Sequence, residues 1–414
     1  MLLTINILEM IILNSFKKVK SFLFIFLIAT STIIQPVYGD DEQETKMLKP
    51  VISDKVVQGK KAPVVNALAA VVMEASSGRV LYSKNAAVKR SIASTTKIMT
   101  AIVALENGDM EDTVTISRRA AGIGGSTLGL REGQEFTLRE LLYAMLMISA
   151  NDAAIAVAEH IGVTVENFAD MMNKKARSIG AADSHFVTPH GLDASDQYST
   201  AYDMAIITRY AIKNPVFAEI VATSDSYIPG FSLYNTNELL GVYPGVDGVK
   251  TGYTGKAGRC LITTAQKDGM RIISVVFGSP TRSARANATK TLLDYSYENY
   301  KMKKLLNAGA AYADVQVSRG TKGNVALIAA QNVELPLSNV ESESLEIREY
   351  KPSVMAAPVY AGSEAGYVEY LVDGETVAAS NLTIAESIRR KNYFDYLAVV
   401  LKEWGRMMRE GIFA

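Results

Sequence analysis

The amino-acid sequence predicts an α+β protein: an antiparallel sheet flanked by helices, then a small all-β domain, then a C-terminal amphipathic helix. Three observations carry that expectation. Two strand patterns come first, a block of helical patterns follows, and three more strand patterns succeed it; that order gives an antiparallel sheet with helices packed on it. Near Lys301 the composition changes to short alternating runs, the mark of a small β domain. From Asn392 onward apolar residues recur at three- and four-residue steps, which places them on one helical stripe.

The elements can be justified in order. Residues 67–74 and 79–83 read as strands around the turn Ser76-Ser77-Gly78. Ile98 to Leu105 is an apolar run that reads as a buried helix. Thr137-Leu138-Arg139-Glu140 has the form of a capping box and opens a helix over 141–148. Ser149-Ala150-Asn151 interrupts it, and the helical pattern resumes over 152–161. Further helices are expected at 165–179 and 201–212, the second stopped near Pro215. Residues 248–254, 259–265 and 271–277 read as strands, with Lys267-Asp268-Gly269 as a tight turn. A helix over 284–300 closes this part. Alternating runs at 313–317, 324–328, 366–372 and 376–379 follow, with turns at Gly323-Asn324 and Asp373-Gly374.

Composition narrows the function. The 43 basic and 43 acidic residues cancel, so charge offers no argument for nucleic-acid binding. The single cysteine, Cys260, forbids an internal disulfide and reads as a small buried side chain. The three histidines, His160, His185 and His190, lack zinc-ligand spacing, and neither a metal nor a cofactor is expected. The N-terminus has the form of a secretion signal: basic Lys17-Lys18-Val19-Lys20, an uncharged apolar stretch from Ser21 to Ile34, and small residues at Val37 and Gly39 before acidic Asp40. The division expected is a signal peptide over 1–39, a linker over 40–64, a catalytic domain over 65–300, a β domain over 301–388 and an amphipathic helix over 389–414.

Three short motifs stand in order along the chain. Ser94-Thr95-Thr96-Lys97 precedes the buried helix, Ser149-Ala150-Asn151 falls between two helices, and Lys250-Thr251-Gly252 lies on a strand. Ser94 and Lys97, three apart at a helix start, share a face, so the amine can reach the hydroxyl. The helix N-terminus offers free N–H groups and the positive end of a dipole where an oxyanion could form. A serine needs a neighbouring base before it is a nucleophile, and a lysine is such a base only with its pKa brought down by burial or a nearby cation. Each motif alone is weak: Ser15 and Lys18 also fit the first, and Ser83-Lys84-Asn85 fits the second. Order, spacing and setting together make the set specific.

With these residues the chain resembles the low-molecular-mass penicillin-binding proteins, serine-type D-alanyl-D-alanine carboxypeptidases, from about Ala67 to Tyr300. The resemblance extends to Pro189-His190-Gly191-Leu192-Asp193, Tyr198-Ser199-Thr200-Ala201 and Val246 to Thr254. It implies a penicillin-binding/β-lactamase-like catalytic domain that removes the terminal D-alanine from peptidoglycan pentapeptides and is acylated by β-lactam antibiotics. On that reading Ser94 is the nucleophile, Lys97 its base, and Ser149 relays the proton to the leaving amine. Asn151 holds the peptide backbone, Lys250 and Thr251 receive the substrate carboxylate, and Gly252 and Tyr253 continue the substrate-binding strand. The N–H groups of Ser94 and Tyr253 would form the oxyanion hole, one such donor being worth about 3 kcal/mol. By the same alignment Arg285 helps bind the carboxylate; His190 sits in a family motif but is read here as structural.

Two rival functions are weighed. A β-lactamase on the same fold would carry E-x-x-L-N between the second and third motifs, and no such string occurs between Asp152 and Val249. A catalytically silent wall-binding protein would not need every reactive group. A Ser-His-Asp triad is disfavoured because Ser94 lacks a G-x-S-x-G setting. The expected partners are peptidoglycan stem peptides, β-lactams and, through the tail, a membrane surface. The expected location is the extracytoplasmic face of the bacterial membrane.

Overall fold

The computed structural model describes residues 62–409; the expected signal segment and nearly all of the expected linker lie outside them. Five strands build the central sheet: β1 (Ala69–Glu74), β2 (Val80–Lys84), β3 (Val246–Thr254), β4 (Gly258–Lys267) and β5 (Met270–Ser279). Their order is β2-β1-β5-β4-β3, antiparallel throughout, with β3 at one edge. All six residues of β1 are buried, which suits a strand covered on both faces.

Among the described residues, seven helices of eight residues or more lie in this part: α1 (Lys97–Asn107), α2 (Leu138–Met147), α3 (Asn151–Gly162), α4 (Val165–Ser178), α5 (Ala201–Ala211), α6 (Pro215–Ala222) and α7 (Arg282–Asn299). On one face Val71, Met73, Ile262 and Ile273 join the core of the helical block. On the other, Ala70, Val72, Ile272 and Val276 pack with Leu292 and Leu293 of α7. Alternation along each strand thus feeds two cores. Within the block, α1 is apolar nearly all round and buried from Lys97 to Ala104, as befits a central helix. The capping box is present: Thr137 Oγ1 accepts from the Glu140 N–H, and Glu140 Oε2 accepts from the Thr137 N–H at 2.7 Å. Such a cap contributes about 1 kcal/mol.

The helix expected over 201–212 does end before Pro215, at Ala211. Pro215 is also the first residue of α6, a helix the sequence reading did not include, whose N-cap Asn214 accepts from the Val216 and Phe217 N–H groups. Proline's fixed φ and missing N–H suit that first helical position.

After α7 come eight strands: β6 (Lys301–Leu306), β7 (Ala311–Ser318), β8 (Asn324–Ala329), β9 (Val333–Leu337), β10 (Glu346–Tyr350), β11 (Val354–Ala356), β12 (Glu364–Val372) and β13 (Glu375–Ile384). β6 pairs with β9, and the other six form a sheet in the order β10-β12-β13-β8-β7-β11. Val315, Val317, Leu327, Val368, Leu382 and Ile384 fill its own core. Arg79, at the start of the β2 hairpin, ties the two parts together by pairing with Glu341 at 2.5 Å. The chain then runs into α8 (Tyr393–Arg409), which buries no residue. Among the described residues no helix is long and apolar enough to cross a membrane.

Candidate active site

Three chain segments converge at the N-terminus of α1. Ser94 lies in a 3₁₀ turn, Ala93–Thr96, that runs directly into α1, so Lys97 opens the helix. Lys97 Nζ is 3.0 Å from Ser94 Oγ. It also donates to Asn151 Oδ1 and to the His190 carbonyl, each at 2.7 Å. Lys97 is completely buried. Burial, and then repulsion from Lys250, hold its pKa well below the ordinary lysine value, against the pull of Asp152.

Two glycines allow this turn to be enclosed. Gly191 has φ +86°, and a Cβ there would sit 2.0 Å from the Ala93 carbonyl oxygen. It lets the loop after His190 press against the Ser94 turn. Gly252 of β3 does the same from the other side: an added Cβ would lie 3.1 Å from Ser94 N. The edge strand therefore runs alongside the backbone of the nucleophile's turn, with Ser94 and Tyr253 on adjoining segments.

The second motif links α2 to α3. Ser149 takes a left-handed conformation (φ +69°), a strained choice for a residue with a side chain and one that clusters at functional sites. Its Oγ is buried and, among the described residues, has no hydrogen-bond partner. Asn151 begins α3, and its side chain is spent within the protein: Oδ1 accepts from Lys97, and Nδ2 donates to the Gly124 carbonyl at 2.8 Å. Next to it, Asp152 is buried and accepts from the N–H groups of Leu128, Gly129 and Leu130. That carboxylate pins the loop supplying the Gly124 carbonyl. Sequence reasoning assigned it no role, because its partners are backbone groups that only tertiary structure brings near.

The third motif lies along β3. Lys250 is buried, and burial together with the Arg285 charge lowers its pKa to about 7. Thr251 Oγ1 is 2.8 Å from Thr236 Oγ1. Tyr253 is 56% exposed at the rim, with the Arg259 guanidinium stacked 3.9 Å from its ring centroid. Arg285, on the first turn of α7, reaches β4 next to β3, where Nη1 donates to the Cys260 carbonyl and the rest of its fork holds Glu238. The nine predicted residues are thus gathered into one region, but Asn151 and Arg285 have their polar groups engaged inside the protein. His190 fits a structural part: its Nδ1 accepts from the Leu192 N–H, and burial lowers its pKa to about 3. Cys260 is buried, and burial pushes its thiol up to about 11.

Comparison with known proteins agrees with this arrangement. Residues 56–281 match the family model described as D-alanyl-D-alanine carboxypeptidase, and residues 300–390 match that of the penicillin-binding protein 5 C-terminal domain. The D-alanyl-D-alanine carboxypeptidase DacF of Bacillus subtilis is 35% identical over 82% of this chain and 90% of its own length. The DacA enzyme of Haemophilus influenzae is 33% identical over 83% and 92% respectively. Penicillin binding protein 5 from Haemophilus influenzae superposes with a TM-score of 0.73 at 32% identity, covering 80% of this chain and 100% of that one. A buried lysine beside a serine at the start of α1, a second lysine on the edge strand β3 and these matches along both parts of the chain lead to one conclusion: the protein belongs to the D-alanyl-D-alanine carboxypeptidase family of penicillin-binding serine hydrolases.

Proposed function

We propose that the chain removes the terminal D-alanine from peptidoglycan pentapeptides through an acyl-enzyme on Ser94. The observation that carries this is the buried Lys97 amine beside the Ser94 hydroxyl. A neutral amine has two N–H bonds and one lone pair. The Asn151 and His190 oxygens take the two N–H bonds, which leaves the lone pair for the Ser94 proton.

The steps follow from the groups present. Ser94 Oγ attacks the carbonyl carbon of the penultimate D-alanine while its proton passes to Lys97 Nζ. Negative charge on the carbonyl oxygen is met by the Ser94 and Tyr253 N–H groups. The C–N bond then breaks, and the departing amine receives a proton from Lys97 through the Ser149 hydroxyl. Water attacks the resulting ester, Lys97 again removes the proton, and Ser94 is regenerated. Lys250 and Thr251 hold the substrate's free carboxylate. Penicillin follows the first step only and leaves slowly. Release of D-alanine from a soluble pentapeptide mimic tests the proposal: a β-lactamase would instead turn over penicillin rapidly, and a silent wall-binding protein would do neither.

The two lysines set the pH dependence. Lys97 works in its neutral form, so kcat/KM should rise as pH climbs through its depressed pKa. Lys250 attracts the carboxylate in its charged form, so the free enzyme should lose activity as pH passes about 7. The pair repel one another and titrate in coupled steps. Lys250→Arg, whatever its rate, should lack the falling limb because guanidinium stays charged. A falling limb of unchanged position in that variant would refute the assignment.

The same reading gives each region its part. Residues 65–300 carry out the chemistry, 301–388 form the β domain that joins it to the tail, and 389–414 hold the protein to the outer face of the membrane. Supporting this, Tyr393, Leu397, Val400, Leu401, Trp404 and Met408 share a stripe of α8 and stay between 39% and 63% exposed. Lys391, Lys402, Arg406 and Arg409 flank it. A helix of this kind lies in the headgroup region, held by apolar burial and anionic lipids. The protein should sediment with anionic vesicles, and a truncation ending at Glu386 should not while keeping its activity on soluble peptide. Equal sedimentation of both would show that the tail is not the anchor.

A further inference from the structure

Arg285 is the cation expected to meet the substrate carboxylate, yet its fork is already occupied by a carboxylate of this chain. Nε donates to Glu238 Oε1 at 3.0 Å, and Nη2 donates to the same oxygen at 2.6 Å while also reaching Oε2. Nη1 is taken by the Cys260 carbonyl at 3.1 Å. The guanidinium is buried, but the Glu238 side chain keeps 31% of its surface in solvent. Glu238 is also held against the K-T-G strand by its neighbours. Thr236 Oγ1 touches Thr251 Oγ1, and Asn237 Nδ2 donates to the Gly248 carbonyl at 2.9 Å. A carboxylate therefore stands next to the strand that carries Lys250 and Thr251, gripped by Arg285 in the geometry that a substrate carboxylate would seek.

We infer that Glu238 is a specificity-setting residue: it occupies the Arg285 fork in the empty enzyme and lowers the preference for substrates ending in a free carboxylate. This rests on the reading of the site given above. Two effects act in the same direction. An incoming carboxylate meets a guanidinium whose donors are spent, and it meets the negative charge of Glu238 at short range. Lys250 and Thr251 are left as the groups that receive the anion first. Partial solvent exposure allows Glu238 to swing out toward water at modest cost, since an exposed carboxylate needs no buried replacement partner.

The test compares an N-acylated tripeptide ending in D-alanyl-D-alanine with its C-terminal amide, which keeps the scissile bond and removes the charge. The ratio of kcat/KM for acid over amide is read in the full chain and in Glu238→Gln. The glutamine keeps an oxygen for Arg285 and removes the charge, so the ratio should rise about fivefold, the scale of an ion pair with one partner partly exposed. Glu238→Gly, which empties the fork, should raise it at least as much. Damage to the fold lowers both substrates together and so cannot by itself raise the ratio. A ratio that stays constant or falls in both variants overturns the inference alone, provided the parent chain releases D-alanine. A parent chain that releases none overturns the reading of the site and this inference with it.

Discussion

Ser94→Ala should lower D-alanine release by about 10⁴-fold or more and abolish covalent labelling by fluorescent penicillin. The argument is local. Substitution removes one oxygen, whose structural contact is Lys97, and that amine keeps the Asn151 and His190 oxygens. Neither the 3₁₀ turn nor α1 depends on the Ser94 hydroxyl, because the turn is held by Thr95 and Thr96 bonding back to the Ile92 and Ala93 carbonyls. Thermal unfolding should therefore move by no more than about 1 kcal/mol in equivalent stability. Loss of labelling with an unchanged melt identifies a nucleophile; labelling that persists would remove Ser94 from that role.

Lys97→Arg should slow acylation by about 10³-fold, the middle of the range that a positioned base supplies. The position is completely buried, and the neighbouring Lys250 adds repulsion, so a neutral amine is the form favoured there. Guanidinium cannot become neutral and cannot offer a lone pair to the serine. It is also larger than the space between Ser94, Asn151 and the His190 carbonyl that the amine fills. Lys97→Ala separates charge from size: it should acylate as slowly as the arginine variant, because both lack the base. The acylation rate with fluorescent penicillin checks this, and a near-normal rate in Lys97→Arg would show that Lys97 is not the base.

What could be read from the sequence follows from where the constraints lie. The three motifs were legible because the chemistry fixes residue type and spacing within four residues. The Thr137-Glu140 capping box was legible for a similar reason, since both partners sit within one turn. Pro215 was legible as the limit of the helix before it but not as the start of α6, because the same residue suits both places and the Asn214 cap that marks the start shows only in the structure. Strands such as Lys301–Leu306 and Glu346–Tyr350 escaped notice because neither shows alternating burial; β10 is exposed along its whole length. The pairing of Glu238 with Arg285, 47 residues apart, has no local trace at all. Nor has the grip of Asp152 on the backbone of residues 128–130.

The central claim is that Ser94 carries the acyl group, and mapping the trapped intermediate tests it most directly. The full chain is incubated with penicillin, quenched, digested and analysed by mass spectrometry. The account predicts a single penicilloyl adduct on the peptide containing Ser94, absent when the protein is unfolded before exposure. An adduct on Ser149 or on any peptide lacking Ser94, or no adduct from the folded protein, would contradict it.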